Sequence, residues 1–160
     1  MSKRTEPGNV IVQRADIRSP TARALIEALN AELLGRYPEE GACHFQLDAH
    51  EVVAGQGAFL IAFSAGTPVG CGAVRRLESQ TGEIKRMFVV PPARGRGVGR
   101  AILNALEAEA RALRFNRLVL ETGVRQTEAQ ALYRRAGFTQ IAPFGEYANS
   151  PLSICMAKEL

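Results

Sequence analysis

The chain has 160 residues, 46% hydrophobic and 22% charged, with a formal net charge of +4 at neutral pH. That length can bury a full core without disulfide or metal staples, and so mild a charge does not call for a nucleic-acid partner. Cys43, Cys71 and Cys155 are dispersed and odd in number, the first residues lack an apolar signal core, and no apolar run approaches membrane-spanning length, so reduced thiols, a cytoplasmic setting, no membrane and no bound metal are expected.

Residues 1–9 are polar and read as a flexible N-terminal tail, leaving 10–160 as one domain. Val10 to Arg14 predicts a short strand. Ser19-Pro20 is a helix-start signal, with Ser19 as N-cap and Pro20 at the first helical position. The helix runs to Gly35 with Leu25, Ile26, Leu29 and Leu33 on one face, and Arg36-Tyr37-Pro38 ends it. A second short helix is expected around Asp48 to Ala54. Ala58 to Phe63 and Val69 to Leu77 flank Ala65-Gly66-Thr67-Pro68 and predict a hairpin, whose second strand leads on to a third from Glu83 to Val90. These three are expected to be antiparallel neighbours. Ile102, Leu106, Ala110 and Leu113 then mark the buried face of a long helix, and Leu118-Val119-Leu120 a buried strand parallel to its predecessor. Ala129, Leu132, Tyr133 and Ala136 form a last helical stripe stopped at Gly137, and Phe138 to Ile141 with Leu152 to Lys158 complete the sheet. The predicted class is α/β (α+β): a mostly antiparallel mixed sheet of six to seven strands, with one splayed parallel pair and about four flanking helices.

Between the third strand and the long helix stands Pro91-Pro92-Ala93-Arg94-Gly95-Arg96-Gly97-Val98-Gly99-Arg100. The first turn of a helix has unpaired N–H groups and the positive end of the macrodipole, and glycines let a ligand approach them, so this junction suits phosphate. It is not a P-loop, because no lysine follows the glycines. It also departs from the dinucleotide fingerprint, since Arg100 stands where the third glycine is wanted; Glu121, at about the distance of the ribose-binding acid, keeps that reading open.

From Glu83 to Phe138 the chain resembles the GNAT superfamily of N-acetyltransferases. The acyl-CoA signature Gln/Arg-x-x-Gly-x-Gly/Ala is matched by Arg94-Gly95-Arg96-Gly97-Val98-Gly99. Glu83-Ile84-Lys85-Arg86-Met87-Phe88-Val89-Val90 is similar to the superfamily's central strand, and Leu132-Tyr133-Arg134-Arg135-Ala136-Gly137-Phe138 to its Leu-Tyr-x-x-x-Gly-Phe segment. The resemblance implies a GNAT-like fold and acetyl-CoA as cosubstrate. Its diphosphate would lie on Arg94 to Gly99 beside Arg100, and its pantetheine along Met87, Phe88, Val89 and Val90, with Gln126 and Ala129 nearby.

Acyl transfer to an amine needs a base to take the ammonium proton and an acid to protonate the leaving thiolate. The resemblance implies Glu83 as base, with Glu121 as the second carboxylate, Tyr133 as acid, and a backbone N–H near Val89 as oxyanion donor. Arg36, Tyr37 and Tyr147 are candidates for acceptor contacts alongside Glu121. Read on their own, Glu83 could equally be a strand-edge ion-pair partner and Tyr133 a core residue. Cys43-His44 are neighbours in sequence, which usually point apart, so a thiol nucleophile is not the reading, and His44 and His50 lack further ligands at metal spacing. Members acting on protein N-termini carry Glu-Val-Arg-x-x-Asn, whereas this chain has Glu121-Thr122-Gly123-Val124-Arg125-Gln126, so a small primary amine or amino-acid-like acceptor is favoured. Two other classes stay open, a noncatalytic acyl-CoA-binding module and a nicotinamide-dependent oxidoreductase; a homodimer is expected by analogy.

Overall fold

Ser19 and Pro20 start the first helix as their chemistry dictates. The computed structural model of the chain describes residues 9–39 and 47–160. The Ser19 hydroxyl accepts from the Ala22 N–H at 3.2 Å, and Pro20 opens α1 (Pro20–Arg36), where its missing N–H costs nothing. The expected tail falls almost wholly, in residues 1–8, outside the described residues, as does the Cys43-His44 pair.

Seven strands follow from the short apolar runs: β1 (Val10–Arg14), β2 (Gly57–Ser64), β3 (Thr67–Glu78), β4 (Thr81–Val89), β5 (Arg117–Gly123), β6 (Thr139–Ile141) and β7 (Ser153–Glu159). Their order across one sheet is β1-β2-β3-β4-β5-β7-β6, antiparallel throughout except for the β4–β5 pair. The parallel pair is joined by α2 (Val98–Ala112), while α3 (Thr127–Arg135) links β5 to β6. The expected helix over 48–54 is instead a single 3₁₀ turn, Ala49–Val52, so the described residues hold three α-helices and not four. The segment is short: the Glu51 carboxylate accepts from the Asp48 N–H at 3.1 Å as a capping box, and β2 begins at Gly57 before a second turn can form.

The sheet is covered on both faces. On one, Leu60, Val74, Ile84, Leu118, Leu120 and Met156 meet the Ile102, Leu103 and Leu106 stripe of α2. On the other, Phe59, Ile61, Cys71 and Phe88 meet Ala22, Leu25 and Leu29 of α1. No helix among the described residues is long and apolar enough to cross a membrane.

One irregularity positions the site. The β4–β5 ladder runs from Thr81↔Arg117 to Ile84↔Leu120 and stops. Just beyond, Cys71↔Phe88 and Ala73↔Lys85 show β4 carrying one residue more than β3, and within this bulge Arg86 has φ 59. A left-handed conformation costs a non-glycine residue about 1–2 kcal/mol. The bulge keeps β4 on β3 while β5 stays on β7, and the gap between them opens toward their C-terminal ends.

Candidate active site

β4 hands the chain through a 3₁₀ turn, Pro91–Ala93, to the glycine–arginine loop. Gly95 and Gly97 take φ 77 and φ 82, and Gly97 is the N-cap of α2. Those dihedrals are what glycine allows without strain. Among the described residues no backbone carbonyl takes the N–H of Gly95, Arg96, Gly97, Val98, Gly99 or Arg100, so six consecutive donors stand at the helix's positive end.

These donors edge a cleft of about 710 Å³ between α1, the loop and α3. Of the residues expected on the donor, Met87, Phe88, Val89, Arg94, Gly95, Gly97, Val98, Gly99, Arg100, Gln126 and Ala129 line it. Val90 and Arg96 do not: the Val90 N–H donates to the Val69 carbonyl at 2.9 Å and its side chain packs into the core, while Arg96 faces solvent. Because the Val90 N–H points toward β3, alternation turns the Val89 N–H and carbonyl toward the splay, where Arg94 Nε donates to the Val89 carbonyl at 2.9 Å. Arg94 also bridges to Glu32 of α1 at 2.6 Å. Arg36 lies on this cleft, 3.6 Å from Glu128. Glu32, Leu132 and Arg135 also line the cleft; the sequence placed Leu132 and Arg135 in the tyrosine-helix segment without assigning them to the donor, and nothing in it marked Glu32. The row of N–H groups and arginines fits a diphosphate, and the apolar wall of Met87, Phe88 and Leu132 fits an extended arm.

A smaller pocket of about 110 Å³ lies in the gap between β4 and β5. Lys85, Arg86 and Met87 form one wall and Glu121, Thr122 and Gly123 the other, with Tyr37, Tyr147 and Ser153 around them. Ser153 Oγ donates to Glu121 at 2.7 Å. Burial pushes the Glu121 carboxyl up to about 7, opposed by that hydrogen bond and reinforced by nearby Glu83.

Glu83 itself sits beneath the pocket and lines neither cavity. It is 1% exposed; Oε1 accepts from Arg75 Nε at 2.9 Å, and Oε2 accepts from the Tyr147 hydroxyl at 2.8 Å. Arg75 is held in turn by Glu51 at 2.6 Å. The buried Glu83 carboxylate is thus hydrogen-bonded at both oxygens, its Arg75 partner being only partly buried. The Tyr147 phenol is pushed well above its usual range by burial, then by Glu83, so it stays a donor to Glu83.

Tyr37 is a wall and a strut. Its hydroxyl accepts from the Arg125 N–H at 2.8 Å, and the Arg125 guanidinium lies 5.0 Å from its ring. Gln126 Oε1 accepts from the Gly123 N–H at 2.8 Å, closing the β5–α3 corner. A Cβ on Gly123 would collide with the Tyr37 hydroxyl and come 2.8 Å from Gln126 Oε1. Gly123→Ala is therefore expected to destabilise the fold by about 1–3 kcal/mol, as overpacking does. Thermal unfolding should show a Tm lower by roughly 2–12 °C; an unchanged Tm would mean that this corner yields freely.

Tyr133 joins the two cavities. It lines both, together with Leu29, Met87, Gln126 and Ala129. It is 5% exposed, packs edge-on against Phe138 at 5.9 Å, and its phenol is pushed above its usual range by burial, then by the Glu121 charge. A protonated hydroxyl therefore stands at the passage between a polyanion-binding cleft and a pocket with a near-neutral carboxyl.

Known proteins agree with this geometry. Residues 23–138 match the Acetyltransferase (GNAT) family. An IAA acetyltransferase from Azospirillum brasilense is 43% identical over 95% of this chain and 99% of its own length. A solved structure from Klebsiella pneumoniae subsp. pneumoniae, assigned as an acyl-CoA N-acyltransferase, superposes with TM-score 0.79 at 34% identity, covering 94% of this chain and 97% of that one. A GNAT acetyltransferase from Elizabethkingia anophelis with acetyl-CoA bound shares the fold at TM-score 0.69 and 20% identity, over 96% of this chain and 99% of that one. The chain belongs to the GNAT family and is an acyl-CoA-dependent N-acetyltransferase.

Proposed function

We propose that the chain moves an acetyl group from acetyl-CoA to the primary amine of a small-molecule or amino-acid-like acceptor, by direct attack of that amine. The observation that carries this reading is Tyr133 in the wall of both cavities, with Glu121 in the smaller one. The larger cleft takes the donor, its diphosphate on the N–H groups of Gly95 to Arg100 and its thioester toward Tyr133.

An amine with pKa near 10 arrives protonated, and a carboxyl titrating at about 7 is a usable acceptor for its proton. Glu121 is therefore the proposed base. Glu83, its oxygens committed to Arg75 and Tyr147, has a positioning part: it holds the Tyr147 hydroxyl in place in the pocket wall. The Val89 N–H is the proposed donor to the carbonyl oxygen as charge develops there. Tyr133 gives its proton to the departing thiolate.

A second reading has one specific support, the 43% identical relative named for IAA, which makes indole-3-acetic acid a candidate acceptor. Free-thiol release from acetyl-CoA across small amines, amino acids, peptides and indole-3-acetic acid, with the product identified by mass, separates the two. N-acetylated small amines or amino acids are expected. Transfer only to peptide N-termini, or only to indole-3-acetic acid, would overturn the small-amine reading.

A further inference from the structure

The Glu121 carboxylate has its hydrogen-bond partner on the next strand. β7 pairs with β5 in the register Glu121↔Cys155 and Gly123↔Ser153, so Ser153 stands two residues along on the same face as Glu121, a diagonal from which side chains can meet. Its hydroxyl donates to Glu121 Oε2 at 2.7 Å, and among the described residues no second hydrogen bond reaches that carboxylate. Ser153 Oγ is also 2.9 Å from Ser150 Oγ. A hydroxyl has one proton and an ionised carboxylate can only accept, so Ser153 gives its proton to Glu121 and takes a bond from Ser150. The bonds therefore run one way, from Ser150 to Ser153 to Glu121. The backbone holds the pair of serines: the Ser153 N–H donates to the Ser150 carbonyl at 3.3 Å, closing a turn, and the Ser150 N–H donates to the Tyr147 carbonyl at 3.0 Å. Both serines stand in the wall of the smaller pocket.

Titratable groups surround Glu121 on every side. β4 brings Glu83, Lys85 and Arg86, the turn 145–147 brings Glu146 and Tyr147, α1 ends at Tyr37, α3 carries Tyr133, and β7 carries Cys155. The Lys85 charge favours the carboxylate, and those of Glu83 and Glu146 disfavour it. The three phenols and the thiol are raised by burial and stay protonated through neutrality. Against burial, which is the largest influence, the Ser153 bond is the strongest one favouring the charged form. A hydrogen bond to an ionised acceptor is roughly twice as strong as a neutral one, so this bond holds the carboxylate better than the acid.

We propose that Ser153, oriented by Ser150, is a positioning residue of the reaction: it fixes the Glu121 carboxylate in the pocket wall and keeps it able to take the proton of the acceptor amine. This rests on reading Glu121 as the base. No proton or acyl group passes to either serine, which act only through Glu121.

The test follows Glu121 itself. Carbon-13 NMR of protein labelled at the glutamate carboxyls, with Glu121→Gln to assign the signal, should give a wild-type midpoint at about 7. Ser153→Ala removes one hydroxyl and none of the surrounding charges, and should raise that midpoint by about one unit or more, the weight of a hydrogen bond to a charged group. Ser150→Ala should raise it by less, and Ser153→Thr, which keeps the hydroxyl, should hold it near the wild-type value. Thiol release from acetyl-CoA, with phenethylamine, glycine and methionine as probe acceptors, should follow the same shift. In Ser153→Ala, kcat/KM should fall about fivefold at pH 7, and the loss should close as pH approaches about 9. A serine that only supported the fold would lower the rate alike at every pH. That uniform loss, or a Glu121 midpoint unmoved in Ser153→Ala, would overturn the positioning role and leave the base reading standing. A midpoint that moves while the rate profile stays put would overturn Glu121 as the base, and no turnover of any probe would overturn the amine reading; either result takes this inference with it.

Discussion

Tyr133→Phe should lower kcat by about 100-fold or more, the usual weight of a general acid, while KM for acetyl-CoA moves by no more than about threefold. The substitution removes one oxygen and keeps the ring, which is buried and packed on Phe138 at 5.9 Å. The fold and donor cleft should therefore survive, and the loss should fall on the chemical step. Burial and the Glu121 charge both disfavour the phenolate, so wild-type Tyr133 keeps its proton at neutral pH and carries it into the step in which the thiolate departs. Initial rates of thiol release at saturating acetyl-CoA measure the effect. An unchanged kcat would reduce Tyr133 to a packing residue.

Glu121→Gln should lower kcat/KM by about 100-fold near pH 7, and abolish an acid limb that in the wild type falls away below about 7. The same variant carries an opposite sign in stability. The carboxyl is raised from 4.5 to about 7 in the folded chain, so its contribution is fully present below the unfolded value and is lost as pH rises through the folded one. At pH 8 the wild type must hold a charged carboxylate in a buried pocket, and glutamine need not. Thermal unfolding should show the variant with the higher Tm at pH 8 and the two proteins converging toward pH 4. Catalytic carboxyls commonly show this exchange of stability for activity. A variant that loses neither rate nor the acid limb would return the base role to Glu83 acting through Tyr147.

What the sequence made legible was local. The run from Arg94 to Gly99 announces itself because anion binding at a helix N-terminus needs only consecutive residues, and the Leu132-Tyr133 segment because one helix fixes its spacing. The parallel β4–β5 pair followed from the crossover through α2. That β7 would insert between β5 and β6 was not readable, because strand order depends on pairings between distant segments. The choice between Glu83 and Glu121 was hidden for the same reason. Glu83 faces Val119 inside the ladder, Glu121 lies just past its end, and Arg75 and Tyr147 arrive from elsewhere to bury the first. Arg36 and Tyr37, adjacent in sequence, part at the end of α1: one faces the donor cleft, and the other the pocket, where it braces the β5–α3 corner. Arg86 was the hardest to foresee, since arginine at a left-handed position carries no glycine to mark it.

The central claim is that the two cavities meet at Tyr133, so that both substrates are held together and the acetyl group passes directly between them. A covalent carrier is disfavoured at the described cysteines: Cys71 and Cys155 are buried, burial pushes the Cys71 thiol up to about 12, and the Cys155 thiol is raised as well. The measurement is an initial-rate grid in which acetyl-CoA and the acceptor are varied together. Double-reciprocal lines that intersect, as a ternary complex requires, are expected; parallel lines, the pattern of an acetylated enzyme intermediate, would contradict direct transfer.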